Sequence, residues 1–248
     1  MITLRNVEKK YGHFQALHSL NLEIHPGEVF GFLGPNGAGK TTTIRMLAGV
    51  LTPTSGQINI SGMDIIKHPI ESKRAVGYIP DRPYLYDKLT AREFLKFTGK
   101  IYGLEDNYIQ EKGDELLAEN DLIHRADELI EAYSHGMKQR LVLANALLHD
   151  PSVLIVDEPM IGLDPHGAKR IKRRFRQLAD LGKTVFLSTH SLDVAQEVCD
   201  RVGILYQGKL VALDTVDGLL KMQSSKDLED VFLTITEEQR NSTDKPKE

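Results

Sequence analysis

The sequence has no tryptophan, a single cysteine and only 6% aromatic residues. One cysteine, Cys199, cannot close an internal disulfide, and it leaves no cysteine-rich zinc or iron–sulfur site. Its surroundings, VAQEVCDRV, suit a small buried side chain better than a reactive thiol, and a reducing compartment fits. No stretch approaches the ~20 consecutive apolar residues that span a bilayer. The charged start MITLRNVEKKYG also lacks the apolar centre of a secretory signal, so a soluble chain is expected. Excess positive charge is missing too: 31 lysines and arginines stand against 35 aspartates and glutamates, a net charge of −4. A protein held on DNA or RNA by phosphate neutralisation usually carries a basic excess, so no nucleic-acid partner is expected.

What is present is an ordinary globular composition over 248 residues, 41% hydrophobic and 27% charged, with room for one large domain or two small ones. Residues 1 to 80 read as strands: Leu20, Leu22 and Ile24 alternate, Pro26-Gly27 turns, and Val29 to Leu33 is a compact apolar run. A glycine-rich loop follows, then a helix from Lys40 to Val50 and short strands at Gln57–Ile60 and Ala75–Ile79. Past Pro83 the pattern turns helical as far as Leu148, with a Thr90–Glu93 capping box ahead of Phe94, Leu95 and Phe97. After Asp150-Pro151, strands at 153–156 and 184–188 flank a basic helix around Lys169 to Arg176. This alternation predicts an α/β fold with a mostly parallel sheet covered on both faces and a helical insertion. Residues 215–236 suggest one or two small helices, and the polar end beyond them a solvated tail.

GPNGAGKT, from Gly34 to Thr41, fits the phosphate-loop pattern G-x-x-x-x-G-K-[ST], between an apolar strand and a helix as that pattern requires. The loop is Gly34, Pro35, Asn36, Gly37, Ala38 and Gly39, continued by Lys40, Thr41 and Thr42. Its N–H groups would converge on phosphate oxygens at a positive helix end. Lys40 would reach the β- and γ-phosphates of ATP, and the Thr41 hydroxyl would bind Mg²⁺. VLIVDE at 153–158 is an apolar strand ending in two carboxylates. Beside a phosphate loop, Asp157 is expected to support Mg²⁺ and Glu158 to polarise the attacking water; the other reading of the pair is a cap for the next helix. His190 closes the next apolar strand, FLSTH, where it is either structural or a partner of Glu158 near the γ-phosphate.

GPNGAGKTT, YSHGMKQR, VLIVDEP, GLDP and STH stand in the order found in ATP-binding cassette proteins, which the chain resembles over nearly all of residues 2–215. YSHGMKQRL and the ending LEDVFLTIT are most similar to single-cassette subunits of exporters and drug-resistance transporters. The resemblance implies a P-loop NTPase core of the RecA-like kind, with an N-terminal antiparallel β part. In it, residues 1–235 form the nucleotide-binding domain, about 84–148 an inserted helical subdomain and 236–248 the tail. It implies a Mg²⁺-dependent ATPase that pairs with a second cassette and drives a transmembrane permease subunit from the cytoplasmic face of a membrane. It makes Tyr11 the aromatic that stacks on adenine, although a half-buried strand tyrosine is the other reading. Ser134 and Gly136 match the signature loop that meets the γ-phosphate of the opposite subunit, and Ser134 also reads as a helix N-cap. Asp164, in GLDP, matches the inter-subunit aspartate or an N-cap ahead of Pro165.

Two departures stand out. The family usually has glutamine where this chain has Asp81, a shorter and charged candidate ligand for Mg²⁺. His135 and Met137 replace a glycine and the glutamine of the usual S-G-G-Q signature. Tyr84, Tyr86 and Phe94 either line the groove that receives the membrane partner or pack a small helical core. Two other functions fit the same motifs: a soluble cassette acting on ribosomes or DNA, and a nucleotide-responsive regulator with little turnover. The first commonly carries paired cassettes or long coiled-coil insertions, which this chain lacks, and intact Lys40, Glu158 and His190 argue against the second.

Overall fold

A computed structural model describes residues 1–82, 84–158, 160 and 165–243. Two sheets carry the architecture. In the first, β1 (Ile2–Tyr11), β2 (Phe14–Ile24), β4 (Ser55–Ile60) and β5 (Met63–Asp64) pair antiparallel in the order β2-β1-β4-β5. The second has six strands in the order β10-β9-β3-β8-β7-β6. There β3 (Val29–Leu33), β6 (Val76–Ile79), β7 (Val153–Asp157), β8 (Thr184–Ser188) and β9 (Arg201–Tyr206) run parallel, and only β10 (Lys209–Thr215) is antiparallel. Every residue of β3, β7 and β8 is buried, which is why these strands read as unbroken apolar runs.

One apolar cluster fills the space between the sheets around α1 (Lys40–Leu47), with Phe30, Phe32 and Phe186 packed ring against ring at 5.4–6.5 Å. The other covers the opposite face of the parallel sheet. It takes in α6 (Pro165–Asp180), α7 (Leu192–Val198), α8 (Val216–Met222) and α9 (Leu228–Thr243), and the helical stretch α3 (Ala91–Ile101), α4 (Asp106–Glu119) and α5 (His135–Leu147). The short α2 (Pro69–Arg74) precedes β6. The Thr90–Glu93 box forms in both directions at the start of α3. Cys199 is buried as expected, and burial pushes its thiol far above the usual range.

One expectation needs correction. The end of the chain does not leave the fold as a tail at residue 236: α9 continues to Thr243, with Glu237, Glu238, Arg240 and Asn241 exposed on polar turns that have no apolar period. The β9–β10 hairpin and α2 were not foreseen. Phe94 is buried, with Tyr86 against it at 6.3 Å and against Phe97 at 5.4 Å, so Phe94 belongs to the helical core rather than to a groove. Tyr84 remains 91% exposed.

Candidate functional site

β3 delivers the chain to Gly34, and the loop then threads between β9 and β2. A Cβ on Gly34 would lie 2.3 Å from the Leu205 carbonyl oxygen, and one on Gly39 2.7 Å from that of Ala16. Gly39 caps α1 at φ 109°, a left-handed conformation that glycine adopts without strain. The first turn of α1 carries no acidic side chain, so its positive end faces the loop unneutralised. Pro35, Asn36, Gly37 and Thr41 are exposed, Thr42 is half-buried and Ala38 buried. Lys40 is 8% exposed and its ammonium donates to the carbonyls of Gly34 and Pro35. Burial lowers its pKa, against the opposing pull of Glu158 and Asp157.

The acids arrive on the neighbouring strands. Asp157 ends β7 at 5% exposure, and Glu158 follows at φ 51°, a left-handed backbone uncommon for a residue with a side chain. The Glu158 N–H donates to the Ser188 carbonyl at 2.9 Å, which ties this turn to β8. Because β7 and β8 are parallel and pair Asp157 with Ser188, the residues just beyond them lie side by side. His190 Nδ1 thus stands 2.9 Å from Glu158 Oε2, and the His190 backbone N–H donates to the same oxygen at 3.3 Å. The sequence placed these two residues at strand ends, and the register joins them.

Asp81, just past β6, is exposed and its Oδ1 accepts the Arg82 N–H at 2.8 Å. It lies near enough to act on Asp157, whose pKa is pushed up to about 6 by burial and by the charges of Asp81 and Glu158, against the pull of Lys40. The result is a concentration of carboxylate oxygens beside one buried ammonium. Among the described residues no group of three or more His, Cys, Asp or Glu is placed to hold a metal ion. That donor set suits a magnesium bound through one or two carboxylates, with substrate phosphates and water completing the shell.

Tyr11 closes the β1–β2 hairpin opposite Phe14, is 47% exposed, and has the Lys9 ammonium 5.2 Å from its ring centre. Ser134 is the N-cap of α5, its hydroxyl accepting the Met137 N–H at 3.3 Å; it is exposed and Gly136 half-buried. Among the described residues no hydrogen bond joins either to the phosphate loop of the same chain. Asp164 lies outside the described residues. Sequence reasoning did not mark Leu192 or Phe232, which line a cavity with Gly34, Pro35, Asn36, Thr189 and His190. No residue spacing signals this, since it depends on how α9 folds back over α7.

The sequence pattern described as ABC transporter matches residues 17–161. The chain is 44% identical over 223 residues to the bacitracin transport ATP-binding protein BcrA of Bacillus licheniformis, covering 89% of this chain and 72% of that one. It is similar to a solved ATP-binding subunit of an ABC transporter, with a TM-score of 0.89 and 31% identity over 95% of this chain and 99% of that one. A dimeric ATP-binding cassette in a post-hydrolysis state, bound to ADP and Pi, aligns with a TM-score of 0.79 and 26% identity, covering 87% and 99% of the two chains.

Proposed function

The chain belongs to the ABC transporter family as an ATP-binding, ATP-hydrolysing cassette, and from that premise we propose that it drives a separate transmembrane permease, of the exporter type, from the cytoplasmic face of a membrane. The similarity to a bacitracin transport ATP-binding protein supports the transporter reading. No helix among the described residues is long and apolar enough to cross a membrane, which fits a division of labour with a membrane-spanning partner.

Glu158 is the general base. Its Oε2 is oriented by two contacts from His190, leaving the carboxylate fixed at the strand end beside Lys40. This arrangement is the observation that carries the reading. The base takes a proton from water as that water attacks the γ-phosphorus and the bond to the β–γ bridging oxygen breaks, releasing ADP, while His190 holds the carboxylate in line. Lys40 turns from the Gly34 and Pro35 carbonyls to the β- and γ-phosphates, and free N–H groups of the loop and of the first turn of α1 donate to the remaining oxygens. Tyr11, 47% exposed, stacks on adenine. Thr41 and Asp157, with Asp81 beside them, would hold magnesium. Bound there, Mg²⁺ neutralises charge on the phosphates.

Cassettes of this family dimerise. Exposed Ser134 and half-buried Gly136, at the N-terminal end of α5, are the groups by which a second copy reaches the γ-phosphate. Steady-state turnover of Glu158→Gln tests the base. Hydrolysis should fall ~10²–10⁴-fold with ATP affinity retained; turnover close to wild type would remove Glu158 from the chemistry.

A further inference from the structure

His190 must be placed accurately, yet its side chain is 67% exposed and packing does not hold it. Its position comes from Glu158 and from its own backbone, which leads two residues later into α7. That helix has only seven residues, buries only Ala195 and Val198, and gets no side-chain hydrogen bond from its N-cap, Ser191. So short a helix does not hold its shape without outside support.

The support comes from behind. The half-buried Gln196 side chain reaches from α7 to the start of α9, where Oε1 accepts the Leu228 N–H at 2.7 Å and Nε2 donates to the Lys226 carbonyl at 3.2 Å. One amide thus satisfies an otherwise unpaired donor at the helix start and holds the preceding loop as well. Leu228, Val231 and Ile235 anchor α9 in the core. One turn beyond Leu228, Phe232 walls a cavity of about 290 Å³ against Gly34, Pro35, Asn36, Thr189, His190 and Leu192.

We propose that Gln196 and Phe232 are positioning residues for ATP hydrolysis: through them the C-terminal helix fixes α7, and with it the His190 imidazole against Glu158. This rests on the reading that His190 and Glu158 act on ATP. An apolar residue at 196 would cover the same surface, whereas the two-pronged contact sets the distance between the helices.

A double-mutant cycle with Gln196→Leu and His190→Ala, followed by ATP turnover, ATP affinity and melting temperature, tests the proposal. Gln196→Leu should lower kcat about tenfold, as small misplacements of catalytic groups do, with ATP affinity within about twofold of wild type. In the His190→Ala background the same change should cost nothing further, because its effect runs through that imidazole. Gln196→Glu, which keeps the acceptor for the Leu228 N–H, should recover part of the loss. Phe232→Ala should lower kcat with the same dependence on His190, and it serves if Gln196→Leu does not fold. Equal fold-losses in both backgrounds, or unchanged kcat in Gln196→Leu, would overturn the proposal. A His190→Ala enzyme with wild-type turnover would instead overturn the catalytic reading beneath it.

Discussion

The helical stretch from α3 to α5 and the carboxyl ends of β3, β7 and β8 follow opposite rules. In the helical stretch the caps of α3 and α5 and the charge pairs agree with the fold. Thr90 and Glu93 cap α3 reciprocally, Ser134 caps α5, and Arg92 pairs with both Asp114 and Asp127 while Lys100 meets Asp106. At the strand ends the preferences are set aside. Lys40 is buried on backbone carbonyls, Asp157 is buried beside like charges, and Glu158 sits in a left-handed backbone. A buried cation, a carboxylate buried beside like charges and a left-handed glutamate gathered at one place mark where chemistry is done. Substitutions at the strand ends should therefore change function without a matching loss of stability, and substitutions in the helices should do the reverse.

The largest effect is expected at Lys40. Lys40→Ala removes the only cation buried among these acids in the described residues, and backbone N–H groups cannot replace it at the β- and γ-phosphates. Equilibrium titration should show tight ATP binding abolished while the fold is kept, and unchanged affinity would break the comparison at its strongest point.

Asp157 sharpens it. Its folded pKa is about 6 against an ordinary 3.8, so the folded state holds this proton more tightly than the unfolded chain does. That preference supports stability fully below about pH 4 and is lost as pH rises through 6, beyond which the ionised carboxylate weakens the metal-free fold by at most ~3 kcal/mol. Asp157→Asn should therefore raise metal-free stability near neutral pH by up to ~3 kcal/mol in urea unfolding, with the gain shrinking through pH 6 and gone near pH 4. It should also weaken Mg²⁺-dependent nucleotide binding. A gain that grows toward acid would contradict the assignment. The smallest effect belongs to the helices, where Thr90→Ala should lose ~1 kcal/mol by denaturation and leave kcat within about twofold.

How much of this was legible follows from the same physics. β3, β7 and β8 are buried on both faces, so their apolar runs announced them, and the phosphate loop showed itself through glycines where a Cβ would strike backbone. The β9–β10 hairpin did not show. Gly203 interrupts β9, and the turn uses Gln207 at φ 44° before Gly208, a place where asparagine or aspartate usually gives the signal. Glu237, Glu238, Arg240 and Asn241 of α9 face outward, and a helix with no apolar stripe there has nothing to distinguish it from a tail. Glu158 and His190 could be placed at strand ends, but their contact needed the β7–β8 register, and the Gln196 link needed the return of α9.

The central claim is that the phosphate loop and the Glu158 carboxylate make half of a site that a second copy completes through Ser134. Light scattering of Glu158→Gln with ATP tests it most directly, because an uncleaved γ-phosphate would keep Lys40 of one copy and Ser134 of the other engaged together. The account predicts a dimer with ATP, a monomer without it, and loss of the ATP-bound dimer when Ser134→Arg is added. A monomer in the presence of ATP, whether alone or with the permease, or a dimer indifferent to Ser134→Arg, would contradict it.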